Sequence, residues 1–204
     1  MTIRPGQRWG SSCPLPHDGV VCATDAEACD VVTRARRAGR KVPTLGLIGG
    51  DLWRTLGAPQ GGAARLRSDI ARSYPVDLGA ALADGRQLWF VAHLVARRSW
   101  LSGPIWAACN AEFLGKWDVA PRGHPNDGQL DVIEADPSLA DRLKALRRLP
   151  TGSHLPHPDI HVRSRRADQV TFDRDVRLRV DGVVWGRAKN LTVRVEEDAL
   201  IVVV

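Results

Sequence analysis

The distribution of apolar positions changes at about residue 75. Before that point, the apolar runs 19–23 and 41–48 are short and flank a more polar stretch, which is typical of two buried strands around a helix. Thr24 and Glu27 have the spacing of a capping box, so the helix should begin there and end near Arg37. Because strand, helix and strand follow one another closely, this segment predicts a βαβ unit with a parallel strand pair.

After residue 75 the pattern is that of an antiparallel, β-rich protein. Asp84-Gly85 lies between the segments 76–83 and 87–95, which predicts a hairpin with a two-residue turn. Further short strands are predicted over 129–135, 160–163, 169–172, 176–180, 191–195 and 200–204. Helices are predicted over 52–56, 60–73, 105–113 and 137–148.

These elements predict an α+β fold with two domains. A small α/β domain should cover residues 1–75, and an antiparallel β-sandwich domain should cover residues 76–204. In the predicted helix 137–148, Leu139, Leu143 and Leu146 should form the apolar face, while Arg142 should lie in solvent. Four tryptophans are predicted to pack in the core or in a cleft wall: Trp53, Trp100, Trp106 and Trp117.

The composition indicates a folded, globular protein. Of the 204 residues, 44% are hydrophobic and 25% are charged, which excludes a disordered tail. No window approaches the ~18 consecutive apolar residues of a membrane span, and we expect no signal peptide, because the first 16 residues lack an apolar core. The four cysteines form no CxxC pair, which argues against a disulfide scaffold. We therefore expect a cytoplasmic protein whose contact with a membrane would be peripheral.

The positive charge favours an anionic partner. A net charge of +6 and a sequence pI of about 9.7 suit nucleic acid, an anionic membrane face or a phosphorylated ligand, although a GC-rich genome also enriches arginine. No helix-turn-helix pattern and no basic strand with interleaved aromatic residues supports nucleic acid. The basic helix 137–148 is either a solvated surface helix or a contact for anionic lipid headgroups.

Two turns carry candidate chemistry. Gly49-Gly50-Asp51 follows a strand and precedes a short helix, so its backbone amides could approach a phosphate, although two such glycines often only turn the chain. Asn126-Asp127-Gly128 places a carboxylate beside carbonyl oxygens, which are the ligands that Mg²⁺ prefers. A zinc site at His154, His157 and His161 is not favoured, because the intervening prolines break any helix that would bring the rings together.

Several segments, taken in order, resemble motifs of the bacterial diacylglycerol kinase family, the lipid kinases that also include sphingosine kinases. The segment 49–57, Gly-Gly-Asp-Leu-Trp-Arg-Thr-Leu-Gly, is similar to the family's Gly-Thr-Gly-Asn-Asp-Phe-Ala-Arg-x-Leu-Gly loop. The segment 124–132 is similar to its Asp-Asp-Gly-x-Leu-Asp-Val turn. Further matches follow in the family's order at 75–79, 152–154, 180–182 and 198–203.

The resemblance implies a fold, ligands and site residues. Family members pair an α/β nucleotide-binding domain with a β-sandwich domain, and ATP and lipid meet in the cleft between them. The nucleotide contacts implied for this chain are Asp25, Gly49, Gly50 and Asp51. A structural Mg²⁺ would be held by the Asp127 side chain and by backbone oxygens at His124 and Gln129.

Three departures from the family's pattern affect the expected activity. The segment 23–27 stands where the family has Gly-Gly-Asp-Gly-Thr and lacks every glycine, and the first predicted strand begins only at Gly19, so we expect a truncated nucleotide-binding domain. Gly50 replaces an asparagine. Val183 stands where the family has the glutamate proposed as general base, and a valine accepts no proton.

Two functional hypotheses therefore remain open. The first is a lipid kinase that transfers the γ-phosphate of ATP to the hydroxyl of a diacylglycerol-type lipid, with catalytic residues that the sequence leaves unknown. The second is a catalytically inactive relative that binds lipid or nucleotide, or serves as a partner module. Assembly as a homo-oligomer, or with another chain that supplies the rest of the nucleotide site, is also open.

Overall fold

One large sheet organises the protein. The computed structural model describes residues 9–99 and 102–204. In this part of the chain eleven strands form a mostly antiparallel sheet, and a separate two-stranded sheet joins β8 and β9. The strands are β1 (Ser11–Ser12), β2 (Val20–Cys22), β3 (Leu45–Leu47), β4 (Arg72–Ala83), β5 (Arg86–Phe90), β6 (His93–Arg97), β7 (Ile105–Cys109), β8 (Phe113–Leu114), β9 (Trp117–Asp118), β10 (Leu130–Ala135), β11 (Ile160–Arg165), β12 (Ala167–Val180) and β13 (Val183–Val203).

Few helices accompany the sheet. They are α1 (Asp25–Arg37), α2 (Asp51–Thr55), α3 (Gly62–Leu66) and α4 (Leu139–Arg148), followed by a short 3₁₀ turn over Leu149–Thr151. The combination of a few helices with a mainly antiparallel sheet confirms the α+β class with a β-sandwich domain.

The predicted βαβ unit is present near the start of the described chain. β2 and β3 pair in parallel, with Val20 opposite Leu45. The Thr24 hydroxyl accepts a hydrogen bond from the Glu27 amide, and the Glu27 carboxylate accepts one from the Ala23 amide. These two bonds fix the start of α1 as predicted, although Glu27 reaches the amide of Ala23 and not that of the N-cap residue Thr24.

The long strand β13 joins this unit to the rest of the sheet. It pairs antiparallel with β4 and β12 along most of its length, and its last residues pair in parallel with β3. The sheet order is β1-β4-β13-β12-β6-β7-β10-β11, with β5 on β4 and β2 reached through β3. The sheet therefore runs across residue 75, and the domain boundary proposed there stays a prediction.

Hydrophobic clusters lie on both faces of the sheet. One includes Phe90, Leu94 and Leu178 from neighbouring strands of the second half. Another includes Val32 of α1 and Leu52 of α2, which pack against β3 and β4. The described cysteines are free, as expected from their spacing.

Several predicted elements differ from the structure. The helix over 60–73 ends at Leu66, and Ile70, which was to lie on its apolar face, is 57% exposed. The helix over 105–113 is wrong, because Ile105–Cys109 forms β7 between two strands. The hairpin around Asp84-Gly85 is confirmed, but its second strand ends at Phe90. The last four predicted strands merge into β12 and β13.

The predicted orientation of α4 is also wrong. Leu139 and Leu143 are 53% and 51% exposed, whereas Arg142 is 5% exposed. The Arg142 guanidinium donates to the carbonyls of Pro137 and Gly103 and forms an ion pair with Asp136 at 2.8 Å. These tertiary partners satisfy the charge, so the arginine lies inside and the two leucines lie outside.

Candidate functional site

The glycine turn before α2 is held by a carboxylate from α1. Asp25, which is 6% exposed, accepts hydrogen bonds from the backbone amides of Asp51 and Leu52. Burial raises the pKa of Asp25 to about 6, although these amide bonds oppose the shift. The anionic group at these amides is thus a side chain of the protein itself. Nucleotide contacts by Asp25, Gly49, Gly50 and Asp51 stay a prediction.

Close packing explains both glycines of this turn. A Cβ on Gly49 would lie 2.4 Å from the carbonyl oxygen of Ala23, and one on Gly50 would lie 2.5 Å from the Asp25 carboxylate. Gly50 also has φ +98°, a left-handed value that side chains rarely adopt. The turn therefore needs glycine for its own geometry, whether or not a phosphate approaches it.

Side chains of α2 reach across to the loop after β7. The Asp51 carboxylate accepts from the Gly115 amide at 2.7 Å, and the Thr55 hydroxyl accepts from the Glu112 amide at 3.0 Å. Arg54 stacks on the Phe113 ring and donates to the Gly115 carbonyl, so it is a packed surface residue. These contacts fix Asp51 at the edge of the loop, with 22% of its side chain exposed.

His93 faces Asp51 from the buried start of β6. Its Nε2 lies 3.2 Å from the Ala111 carbonyl oxygen, which can only accept, so Nε2 carries the proton. Burial lowers the pKa of His93 to about 4, which leaves the ring neutral at pH 7 with an unprotonated Nδ1. Nδ1 lies 3.7 Å from the Asp51 Oδ2. Burial also raises the pKa of Asp51. A hydroxyl that enters beside this gap therefore finds two hydrogen-bond acceptors.

A buried carboxylate, Asp181, holds the turn that precedes His93. Its two oxygens accept from the backbone amides of Val91, Ala92 and His93 at 2.8–2.9 Å. Burial raises the pKa of Asp181 to about 7, against the effect of these bonds. Asp181 thus positions His93 rather than facing a ligand. Val183, two residues further along, is 56% exposed at the hairpin tip.

The turn 124–129 is held by a third buried carboxylate, Asp77. Its oxygens accept from the amides of Gly128 and Asp198, both at 2.8 Å, and its own amide donates to the Pro125 carbonyl. The buried Asn126 side chain donates to the Asp198 carboxylate at 2.8 Å. Asp77 therefore ties this turn to β4 and to the bend in β13.

The residues predicted to hold Mg²⁺ lie at this turn. Asp127 is half-buried, and its Oδ1 accepts from the Gln129 amide at 2.9 Å, while the Asp127 amide donates to the His124 carbonyl at 3.3 Å. Burial, together with the charges of Asp131 and Asp77, raises the pKa of Asp127 to about 6. This excess of negative charge suits a bound cation. Asp127 supplies the only side-chain ligand of the predicted set, so the site stays a prediction.

An apolar cavity of about 310 Å³ lies between the sheet and α4. Val95, Ala107 and Ile133 form its floor on β6, β7 and β10, while Ala145 and Leu146 close it from α4. His93 also lines the cavity, so the cavity reaches the residue that faces Asp51. This juxtaposition of an apolar space and a carboxylate is the main feature that sequence patterns missed.

The histidines and tryptophans occupy separate places. His154 is buried in the cavity wall, while His157 lies near Asp141 and Asp159, the one cluster of metal-ligating side chains in the described residues. Trp106 is buried and Trp117 lines the cavity, as expected. Trp53 packs against the cluster around α1, and Trp100 lies outside the described residues. No helix within 9–99 and 102–204 is long and apolar enough to cross a membrane.

Comparisons with known proteins agree with this architecture. The family model described as the YegS C-terminal NAD kinase beta sandwich-like domain matches residues 63–204. A candidate diacylglycerol kinase from Bacillus anthracis str. Sterne has a similar solved structure, with a TM-score of 0.67 and 16% identity over 91% of this chain and 77% of that one. A structure titled as a diacylglycerol kinase from the same organism has a TM-score of 0.59 and 17% identity, over 91% of this chain and 75% of that one. No curated protein matches the sequence.

Proposed function

Because the chain belongs to the YegS-like family of lipid kinase relatives, we propose that it is a lipid-kinase-like protein that transfers the γ-phosphate of ATP to a hydroxyl of a diacylglycerol-type lipid. One observation carries this proposal: the apolar cavity extends to His93, whose Nδ1 lies 3.7 Å from the Asp51 carboxylate. A lipid with its chains in the cavity would present its hydroxyl at a proton acceptor.

Asp51 takes the role of proton acceptor in this proposal. The lipid oxygen forms a bond to the γ-phosphorus while the bond between that phosphorus and the β–γ bridging oxygen breaks, and the hydroxyl proton passes to the Asp51 carboxylate. A carboxyl group whose pKa is raised by burial is better matched to this step at neutral pH. His93 is neutral and borders the Asp51 carboxylate without taking the proton, and the bond from its backbone amide to Asp181 holds it in place.

The predicted Mg²⁺ has a structural part in this proposal. Asp127 would hold it together with backbone oxygens at His124 and Gln129, and the ion would offset the negative charge that Asp77 and Asp131 add there. Asp77 already ties the same turn to β4 and β13, so the ion would strengthen an existing connection.

Two observations favour the second candidate, an inactive relative that binds lipid. Val183 occupies the position at which the family has its base, and the amides at the start of α2 are already bonded to Asp25. In that case the cavity would bind lipid while no phosphoryl transfer takes place.

The experiment measures ATP-dependent phosphorylation of diacylglycerol in mixed micelles with Mg²⁺. We expect phosphorylated lipid from the native chain and a loss of roughly 10²-fold or more in Asp51→Asn, which removes a general base. Absence of product from the native chain, combined with binding of a fluorescent acyl probe, would leave only the inactive relative.

A pair of variants on α4 tests the cavity itself. Ala145→Trp places a large ring in the cavity, whereas Ala140→Trp places the same ring on the exposed side of the helix. The first should weaken binding of the acyl probe and the second should leave it unchanged. Equal binding by both variants would contradict the assignment of the cavity to lipid chains.

A further inference from the structure

Three arginines stand side by side on neighbouring strands of the sheet. Arg177 of β12 is directly opposite Arg97 of β6 on one side and Arg187 of β13 on the other. Opposite residues on neighbouring strands point to the same face, so the three guanidinium groups form an arginine row. Arg179, two residues along β12, points to the same face. The charges of Arg179 and Arg177 lower the pKa of Arg97, after burial as the larger cause.

Acidic side chains do not neutralise the exposed part of this row. Within 9–99 and 102–204, neither Arg177 nor Arg187 has a carboxylate within ion-pair distance. Arg187 donates to the backbone carbonyl of Asp175, and Arg179 donates to that of Gly182. Like charges directly opposite one another cost stability, so an external anion would relieve the repulsion between Arg177 and Arg187.

The arginine row lies on the same face of the sheet as the apolar cavity. Arg179 is paired in register with Val95, and Val95 lines the cavity. At the tip of the β12–β13 hairpin, Val184 is paired with Arg179 and therefore lies on this face, where it is 51% accessible. Cationic and exposed apolar side chains on one face are the combination that a lipid–water interface accommodates.

We propose that this face docks on an anionic bilayer. The arginine row binds lipid phosphates, because a guanidinium group donates two parallel hydrogen bonds to phosphate oxygens. Val184 at the hairpin tip reaches the boundary of the acyl chains. The inference deepens the proposed function and rests on it for the lipid nature of the ligand in the cavity. Soluble phosphates share the chemistry of the row but give no role to the exposed Val184.

Vesicle binding without ATP tests the docking surface. Native protein should partition onto vesicles of phosphatidylglycerol and phosphatidylcholine, and weakly onto phosphatidylcholine alone. The double variant Arg177→Gln, Arg187→Gln should bind the anionic vesicles about 30-fold more weakly, because each basic residue near the surface contributes about fivefold. The control Arg37→Gln, Arg40→Gln removes the same charge from an exposed site at the end of α1 and should lose less than threefold. Equal losses in the two double variants would overturn the proposal.

Further arms separate this surface from its alternatives. Val184→Ser should weaken binding to anionic vesicles, and millimolar inorganic phosphate should compete poorly, whereas displacement by phosphate alone would overturn bilayer docking. Loss of binding in Arg147→Gln, Arg148→Gln, with the arginine row intact, would assign the surface to α4 instead. Arg177→Gln should unfold at an equal or higher temperature than the native chain, because it relieves repulsion. Since no ATP is present, failure of the kinase assay leaves this result standing.

Discussion

The buried carboxylate of Asp181 should contribute more to stability than any exposed acidic residue. Asp181→Ala leaves three buried backbone amides without an acceptor, those of Val91, Ala92 and His93. Each unsatisfied amide costs about 1–3 kcal/mol, so the loss should be at least about 3 kcal/mol. That is a large part of the roughly 5–15 kcal/mol by which a domain is stable.

A second substitution at position 181 should cause a smaller loss of stability. In Asp181→Asn the remaining side-chain oxygen can still accept hydrogen bonds from the amides of Ala92 and His93. The new side-chain NH₂ group then faces the Val91 amide, and because both groups are donors, no hydrogen bond forms between them. This variant should lose about 1–3 kcal/mol, between the native chain and the alanine variant.

Urea unfolding at pH 7, followed by tryptophan fluorescence, measures both changes. The exposed Asp173→Ala is the matched control and should stay within about 0.5 kcal/mol of the native chain. If Asp181→Ala unfolded within about 1 kcal/mol of native, the three amide bonds would not position the turn, and the structural role assigned to Asp181 would be wrong.

Three further predictions follow from buried groups. Arg142→Ala should lose about 1–3 kcal/mol in urea unfolding, because the carbonyls of Pro137 and Gly103 lose their donor, whereas the Asp136 side chain is 62% exposed and is solvated by water. Between pH 4 and 6.5, His93 binds fewer protons in the folded state than in the unfolded state, so the free energy of unfolding rises with pH across that window. Between pH 7 and pH 4 the native chain should therefore lose about 3 kcal/mol more of its free energy of unfolding than His93→Gln. Gly79→Ala should cost about 1–3 kcal/mol in thermal unfolding, since its Cβ would lie 2.1 Å from the Phe90 ring, whereas Gly186→Ala meets no atom within 4 Å and should cost little.

Local patterns predicted the elements whose causes are local. The start of α1 depends on Thr24 and Glu27, three residues apart, and the β4–β5 hairpin depends on the dipeptide Asp84-Gly85. The strand β7 was predicted as a helix because a short apolar run rich in alanine fits both structures. The segment forms a strand because it pairs with β6 on one side and β10 on the other, and this pairing depends on tertiary contacts.

Long-range bonds explain what the sequence could not predict about the site. Asp181 is 88 residues from His93, and Asp77 is 121 residues from Asp198, so no local pattern joins them. The same holds for Arg142, which was predicted to be solvent-exposed because it is charged. Its partner, the Gly103 carbonyl, is 39 residues away in the sequence. The glycine turn was found correctly, but its amides bond to Asp25 from another element.

Asp51 is the residue whose role differs between the lipid kinase and the inactive relative, because the other features of the site are compatible with both functions. The cavity would bind acyl chains in an enzyme and in an inactive relative alike, and a docking face would bring either one to a bilayer. Val183 lacks the side chain proposed as the base in the family, but it lies at an exposed hairpin tip, whereas Asp51 lies 3.7 Å from His93, which lines the cavity. A general base must lie within hydrogen-bond reach of the hydroxyl, so the presence of Asp51 should affect activity more than the replacement of the family's glutamate by Val183. Lipid occupancy therefore cannot separate the functions, whereas phosphorylation of lipid by the native chain, and its loss in Asp51→Asn, can.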